Sequence, residues 1–164
     1  IDESELSSTR LQQRDYWEAF HKVLESVNGP VHGNRKPQPQ SWMNYSIGRS
    51  GIALGTSLIR PKRQIRAELY LNSPQAKAQF YQLRDQQTDI ERDLGCTLAW
   101  EELPSRRDCR IAYYLNDVDP QDLSDWPRQH VWLAHHINEF HRVFAHRVRL
   151  LSADNGGNGD HSTV

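Results

Sequence analysis

Hydrophobic residues recur along the chain at two spacings, one typical of helices and one typical of strands. Over residues 8–27 they fall every three or four positions, which predicts an amphipathic helix that ends at Asn28-Gly29. Further on, they alternate with polar residues in three short segments joined by GRSG and PKRQ, connections that suit antiparallel hairpins. The predicted strands cover residues 42–47, 52–60 and 65–71.

The second half of the chain predicts two more helices and two more strands. Ser73-Pro74 is typical of a helix start, and helical spacing continues to Leu94, before Gly95. The segments TLAWEEL and CRIAYYL predict strands, and a long helix opens at Trp126. The predicted fold is α+β, in the order α-βββ-α-ββ-α, with helices mainly on one face of an antiparallel sheet of about five strands.

The third predicted strand separates a core face from a polar face. Ile65, Ala67, Leu69 and Leu71 point one way, whereas Arg66, Glu68 and Tyr70 point the other. If the strands pair as predicted, Arg110 and Tyr114 lie on the same polar face. Such a face can bind a ligand, or Glu68 can simply pair with a neighbouring arginine on a solvated sheet.

Composition predicts one soluble domain. The chain has 164 residues, 37% of them hydrophobic, with five Trp and no segment that resembles a signal peptide or a membrane anchor. We expect a flexible segment over residues 1–8, a single domain over 9–152 and a disordered tail over 153–164. Because the sequence does not begin with Met, we expect it to be part of a longer chain. Two isolated cysteines favour a reducing compartment, the cytoplasm.

The charge pattern predicts a local basic surface. A formal net charge of -1 excludes wholesale attraction to polyanions, so any such binding requires a patch. Four cations fall within seven residues on the second hairpin, and Arg49 lies at the tip of the first. This surface predicts contact with nucleic acid; the alternative is a set of solubilising charges at hairpin tips. Its predicted residues are Arg49, Arg60, Lys62, Arg63 and Arg66, to which Tyr70 and Arg110 of the polar face are added.

No motif predicts a cofactor or a metal. The chain lacks HExxH, GxxxxGK[ST], GxGxxG and the GxSxG nucleophile elbow. Five histidines of the last helix are spaced by five, one, five and five residues, so their side chains cannot converge on one ion. We expect them to be solvated or to cap the helix. His136 is the exception to watch, because it lies between Trp132 and Phe140 on one side of the helix.

The predicted order of elements also matches the core of PD-(D/E)xK nucleases. Those enzymes need two carboxylates and a lysine on adjacent strands to hold a divalent cation and orient water. Glu68 can supply one carboxylate, but Tyr70 stands at the lysine position and strand two contains no acid. Glu68 is therefore a weak catalytic candidate within a core that has lost its chemistry.

An ordered series of short motifs resembles one bacterial family over most of the chain. RDYWEAF, IGRSGIAL, IRAELYL, AKAQFYQL and IERDLGCTLAWEELPSRRDCRIAYY together resemble DUF4268, from about Thr9 to Leu151. The resemblance implies that, in members of this family, the part similar to this chain is a C-terminal module, often preceded by a nuclease-like region. The resemblance implies a bacterial, cytoplasmic setting and a link to DNA processing or defence. It supplies no catalytic residue.

Three functions therefore remain as predictions. The first is a non-catalytic accessory or recognition domain that contacts nucleic acid, or an upstream nuclease-like domain. The second is a protein-interaction or homodimerisation module that uses the aromatic side chains of Trp42, Tyr70 and Tyr114. The third is a degenerate nuclease core in which replacement of Glu68 abolishes metal-dependent cleavage.

Overall fold

The computed structural model describes residues 7–152. The predicted tail over residues 153–164, and residues 1–6 of the predicted flexible segment, lie outside this range. Ser7 caps the first helix by accepting a hydrogen bond from the Arg10 N–H (3.2 Å). The chain packs as two compact units: residues 7–45, 55–67 and 114–138 form the first, and residues 46–54, 68–113 and 139–152 the second.

The predicted α+β fold is confirmed: the described chain has four α-helices and a five-stranded antiparallel sheet, with strands in the order β1-β2-β3-β5-β4. The elements are α1 (Ser8–Ser26), β1 (Trp42–Ser46), β2 (Ile52–Ile59), β3 (Gln64–Leu71), α2 (Ala76–Arg84), α3 (Gln87–Leu94), β4 (Ala99–Glu101), β5 (Cys109–Asn116) and α4 (Trp126–Arg149).

The predicted second helix is in fact two helices and begins later than expected. Ser73 caps a turn instead, with its Oγ accepting a hydrogen bond from the Gln75 N–H (3.0 Å), and α2 starts at Ala76. Between α2 and α3 the Gln86 N–H bonds to the Leu83 carbonyl, three residues back. No buried side chain lies between Leu83 and Ile90, so no core contact holds a continuous helix through this stretch.

The core of the first unit is aromatic. Tyr16, Trp17 and Phe20 of α1 are 0% exposed. Tyr16 donates its hydroxyl to Oε1 of Gln129 (2.9 Å) at the start of α4, and its ring lies edge-on to Trp126 (5.1 Å). Trp17 donates Nε1–H to the carbonyl of Gln40 (2.8 Å), which fixes the end of the Pro-rich loop before β1. These contacts set the position of that loop.

The second unit is built on β4 and β5 with α2, α3 and the end of α4. Trp100 of β4 pairs with Ile111 of β5, and its ring contacts Phe80 of α2 (6.1 Å). The hairpin between β1 and β2 requires glycine at Gly51, where φ is +84° and an added Cβ would lie 2.6 Å from that of Ser73. The core face predicted for β3 is confirmed, since Ile65, Ala67, Leu69 and Leu71 are all 0% exposed.

Candidate nucleic-acid interface

The second hairpin presents a basic tip, which we define as Arg60, Lys62 and Arg63, on a fixed backbone. Residues 60–62 form a single 3-10 turn with Pro61 inside it. Arg63 adopts a left-handed conformation (φ 53°) and donates its N–H to the Arg60 carbonyl (3.0 Å). The carbonyl of Arg63 accepts a hydrogen bond from the Val118 N–H (3.1 Å), which ties the tip to the segment after β5. These hydrogen bonds and the ring of Pro61 restrict the backbone of the tip.

The side chains of the basic tip are exposed and have no partner within residues 7–152. The described second unit holds one cation without a hydrogen bond or ion pair, Arg84, whose guanidinium lies over the ring of Phe80 (5.9 Å), whereas the described first unit holds seven. The seven are Arg10, Lys22, Arg35, Lys36, Arg60, Lys62 and Arg63. In the second unit each cation has a contact; Arg147, for example, donates to Oδ2 of Asp93 (3.0 Å). The available positive charge is thus concentrated in one unit.

Arg66 differs from the basic tip because its side chain packs on the sheet. It donates Nη2–H to the hydroxyl of Ser57 (3.1 Å), and its guanidinium lies over the ring of Tyr114 (5.8 Å). Arg66 and Tyr114 are half-buried and Ser57 is buried. The arrangement stabilises the polar face of the first unit.

In the second unit the polar face is an ion-pair network. Arg110 donates to Oε1 of Glu101 (2.6 Å) and lies 3.8 Å from Oε1 of Glu68, which is only 5% exposed. This is the arginine pairing that the sequence offered as the alternative to a ligand site. Among residues 7–152 no group of three or more His, Cys, Asp or Glu side chains could hold a metal ion. Glu68 is placed to hold Arg110.

Tyr70 belongs to a second group on that face. Its hydroxyl donates to Oδ2 of Asp108, which also accepts two hydrogen bonds from the guanidinium of Arg106 (2.9 and 2.6 Å). Burial alone would raise the pKa of Asp108, but the hydrogen bonds from Tyr70 and Arg106 outweigh it and lower the pKa below its ordinary value. Asp108 therefore stays ionised and fixes the loop between β4 and β5.

Arg49 at the tip of the first hairpin holds the end of α4. Its Nη1 donates to the carbonyls of Val148 (2.6 Å) and Leu151 (2.7 Å). Carbonyls at a helix C-terminus lack partners within the helix and carry partial negative charge, so a guanidinium stabilises them. Arg49 lies in the second unit and the basic tip in the first. Its contacts are those of a helix cap.

We expect Arg49→Ala to destabilise the protein by about 1–3 kcal/mol, because two part-buried carbonyls lose a charged donor. Urea unfolding followed by far-UV circular dichroism measures the change. Ser50→Ala, at the exposed neighbouring position, is the control and should lie within about 0.5 kcal/mol of wild type. Equal stabilities for both variants would contradict this role for Arg49.

The prediction that the histidines of α4 are solvated or cap the helix is wrong for His130. This side chain is 2% exposed, its ring 4.4 Å from Tyr16 and 5.7 Å from Phe20. Burial, reinforced by the neighbouring His21, lowers the pKa of His130 to about 4. The residue falls on the α1 side of α4, a position that helical spacing from Trp126 and Leu133 could have indicated.

Sequence patterns also missed a groove beside β1, which we call the Trp42 groove. It has a volume of about 470 Å³ and is lined by Arg35, Lys36, Gln38, Gln40 and residues 42–44. Trp42 is 48% exposed, whereas its strand neighbours Met43 and Tyr45 are buried. The loop had no periodicity to place it, so only the fold brings its two cations beside the indole.

The fold and this surface define an α+β protein with a basic tip on its second hairpin. The family model for a domain of unknown function, DUF4268, matches residues 12–148, and the chain belongs to that family. No curated protein and no solved structure matches the chain. In the described residues no helix has the length and apolar character needed to cross a membrane.

Proposed function

We propose that the protein is a non-catalytic accessory domain that contacts nucleic acid through the basic tip. The observation that carries the proposal is the exposure of Arg60, Lys62 and Arg63 without a partner in residues 7–152. Most other arginines of the described chain are in ion pairs or donate to carbonyls. A solubilising role does not require an ordered backbone, whereas a phosphate contact gains from one, since less conformational freedom is lost on binding.

The distribution of charge along the sequence supports the same proposal. All 20 Lys and Arg residues lie within residues 7–152, whereas five of the 21 acidic residues lie outside it, so the described part carries a net charge of +4. The acidic residues outside that part are Asp2, Glu3, Glu5, Asp154 and Asp160. The formal net charge of -1 therefore understates the positive charge of residues 7–152.

The test replaces Arg60, Lys62 and Arg63 together by alanine. Binding of the full chain to a fluorescein-labelled 20-base-pair DNA duplex is followed by anisotropy between 25 and 200 mM salt. We expect about tenfold weaker binding at low salt, and a log–log salt slope reduced by about 0.9 for each phosphate contact that is lost.

The matched control is the triple variant R84A/R92A/R149A, which removes three exposed cations from the second unit. It has the same net charge as the tip variant. If the two variants lose affinity equally, the effect is one of net charge and the proposed interface is wrong. If wild type binds neither duplex nor single-stranded DNA, the proposed function itself is wrong.

The cellular setting is part of the proposal. The family resemblance implies a bacterial cytoplasmic protein in which this domain follows a nuclease-like region. Free Cys96 and Cys109 fit a reducing compartment. In that setting the domain would hold the nucleic acid while the upstream region acts on it.

The second candidate, a protein-interaction or dimerisation module, is favoured by the exposed Trp42. The other two aromatic residues of that prediction contribute less, because Tyr70 bonds to Asp108 and Tyr114 lies beneath Arg66. Sedimentation velocity over a hundredfold range of concentration separates the candidates. A dimer that Trp42→Ala dissociates would favour this second function.

A further inference from the structure

The Trp42 groove combines a π face, two cations and several amides within the first unit. The side chains of Arg35 and Lys36 are exposed and make no hydrogen bond or ion pair within residues 7–152, and no acidic residue of the described chain lines the groove. The adjoining cavity of about 440 Å³, which shares Arg35, is lined by Glu18 and Glu25 as well. Charge therefore distinguishes the two: among the described residues, the lining of the Trp42 groove holds cations and no acid, whereas Lys22 and Arg35 of the neighbouring cavity lie with Glu18 and Glu25.

Exposure of Trp42 is not explained by packing. An indole that is 48% exposed leaves an apolar face in water, and tryptophan is enriched at binding interfaces, where one end of its side chain is apolar and the other is wet. Aromatic faces next to cations are the recurring elements of single-strand binding, in which bases stack while Lys and Arg contact the backbone. The amides of Gln38 and Asn44 can both donate and accept, as base edges require.

We infer that the Trp42 groove binds a segment of single-stranded nucleic acid, with a base stacked on Trp42 and the adjacent phosphates on Arg35 and Lys36. The inference rests on the proposed function and adds a site for single-stranded nucleic acid to the phosphate contacts of the basic tip. A duplex does not fit this chemistry, because its bases are stacked within the helix and cannot lie on an indole. The groove volume of about 470 Å³ is within the range of about 300–1,000 Å³ that small-ligand sites occupy.

An acidic peptide is the other class of ligand that cations beside an aromatic face can attract. A peptide added to the edge of the sheet would bond to the outward backbone groups of β1. The carbonyl of Trp42 already accepts a hydrogen bond from Nε2 of Gln40 (2.8 Å). Strand addition would have to break this bond, whereas stacking on the indole leaves it intact. The structure therefore favours the nucleic acid.

The experiment compares fluorescein-labelled dT20 with the 20-base-pair duplex, using the full chain and anisotropy at several salt concentrations. We expect Trp42→Ala to weaken dT20 binding by about five- to a hundredfold, and Trp42→Phe, which keeps a π face, to weaken it much less. The double variant R35A/K36A should weaken dT20 binding and reduce its salt slope by about 1.4. Duplex affinity should change little with Trp42→Ala.

The charge-matched control is R10A/K22A, which removes two exposed cations of the same unit outside the groove. Thermal unfolding of each variant shows whether the fold is kept. Unchanged dT20 binding by Trp42→Ala would overturn the inference while leaving the basic tip to be judged by its own variant. Binding of a labelled poly-glutamate peptide that depends on Trp42, without such dependence for dT20, would also overturn it.

Discussion

Replacing Trp17 by alanine is expected to lower the free energy of unfolding by about 3–5 kcal/mol. The side chain is 0% exposed and packs edge-on to Tyr16 (5.1 Å) and near Phe20 (6.0 Å), so its removal leaves a large cavity in the first unit. The substitution also removes the donor to the Gln40 carbonyl. Urea unfolding followed by far-UV circular dichroism gives the difference.

Trp17→Phe separates the two contributions. Phenylalanine keeps much of the ring volume but leaves the Gln40 carbonyl without its donor, for which we expect a loss of about 1–3 kcal/mol. Trp42→Ala, at a half-exposed indole, is the matched control and should cost less than about 1 kcal/mol. Equal losses of unfolding free energy for Trp17→Ala and Trp42→Ala would contradict the burial of Trp17 in the core of the first unit.

Acid is expected to destabilise the protein through His130. In the unfolded chain this histidine takes up a proton near its ordinary pKa of 6.5, whereas in the folded protein burial keeps the pKa at about 4. Between these values the unfolded state binds more protons, so stability falls as pH falls. The loss accumulates from about pH 6.5 and reaches about 3 kcal/mol below pH 4.

The matching variant is His130→Phe, which keeps an aromatic ring beside Tyr16 and Phe20 but cannot take up a proton. Its free energy of unfolding, measured by urea titration from pH 7 to pH 4, should fall less steeply than that of wild type. Replacement of His135, exposed on the same helix, serves as the control. Parallel pH profiles for wild type and His130→Phe would rule out His130 as the source of acid sensitivity.

Most elements of the fold were predictable from the sequence, because the buried face of a helix or strand sets the spacing of its hydrophobic residues. Alternation in β3 and the three- and four-residue steps of α4 identify the buried faces, since every residue of those stripes contacts the core. The break between α2 and α3 was not predictable in this way. It falls where no apolar position constrains the helix, and the residues there favour neither continuation nor a stop.

One part of the candidate site was predictable from the sequence and the other was not. The basic tip was predictable because four cations lie close together in the sequence, and the structure adds the conformation of its backbone. The Trp42 groove was not predictable, because its two cations come from a loop without periodicity, and the hydrogen bond from Trp17 to Gln40 fixes the end of that loop. The burial of His130 does not follow from metal-ligand spacing, because it depends on the packing of α4 against Tyr16 and Phe20 of α1.

The concentration of unpartnered cations in the first unit affects how the protein approaches a ligand. At a distance, a molecule with a net charge of -1 is attracted only weakly to a polyanion, and at physiological salt the field decays over about 8 Å. Within that distance the local field dominates. For the nucleic acid of the proposed function, we therefore expect encounters to occur by ordinary diffusion, with attraction beginning only once the first unit faces the strand.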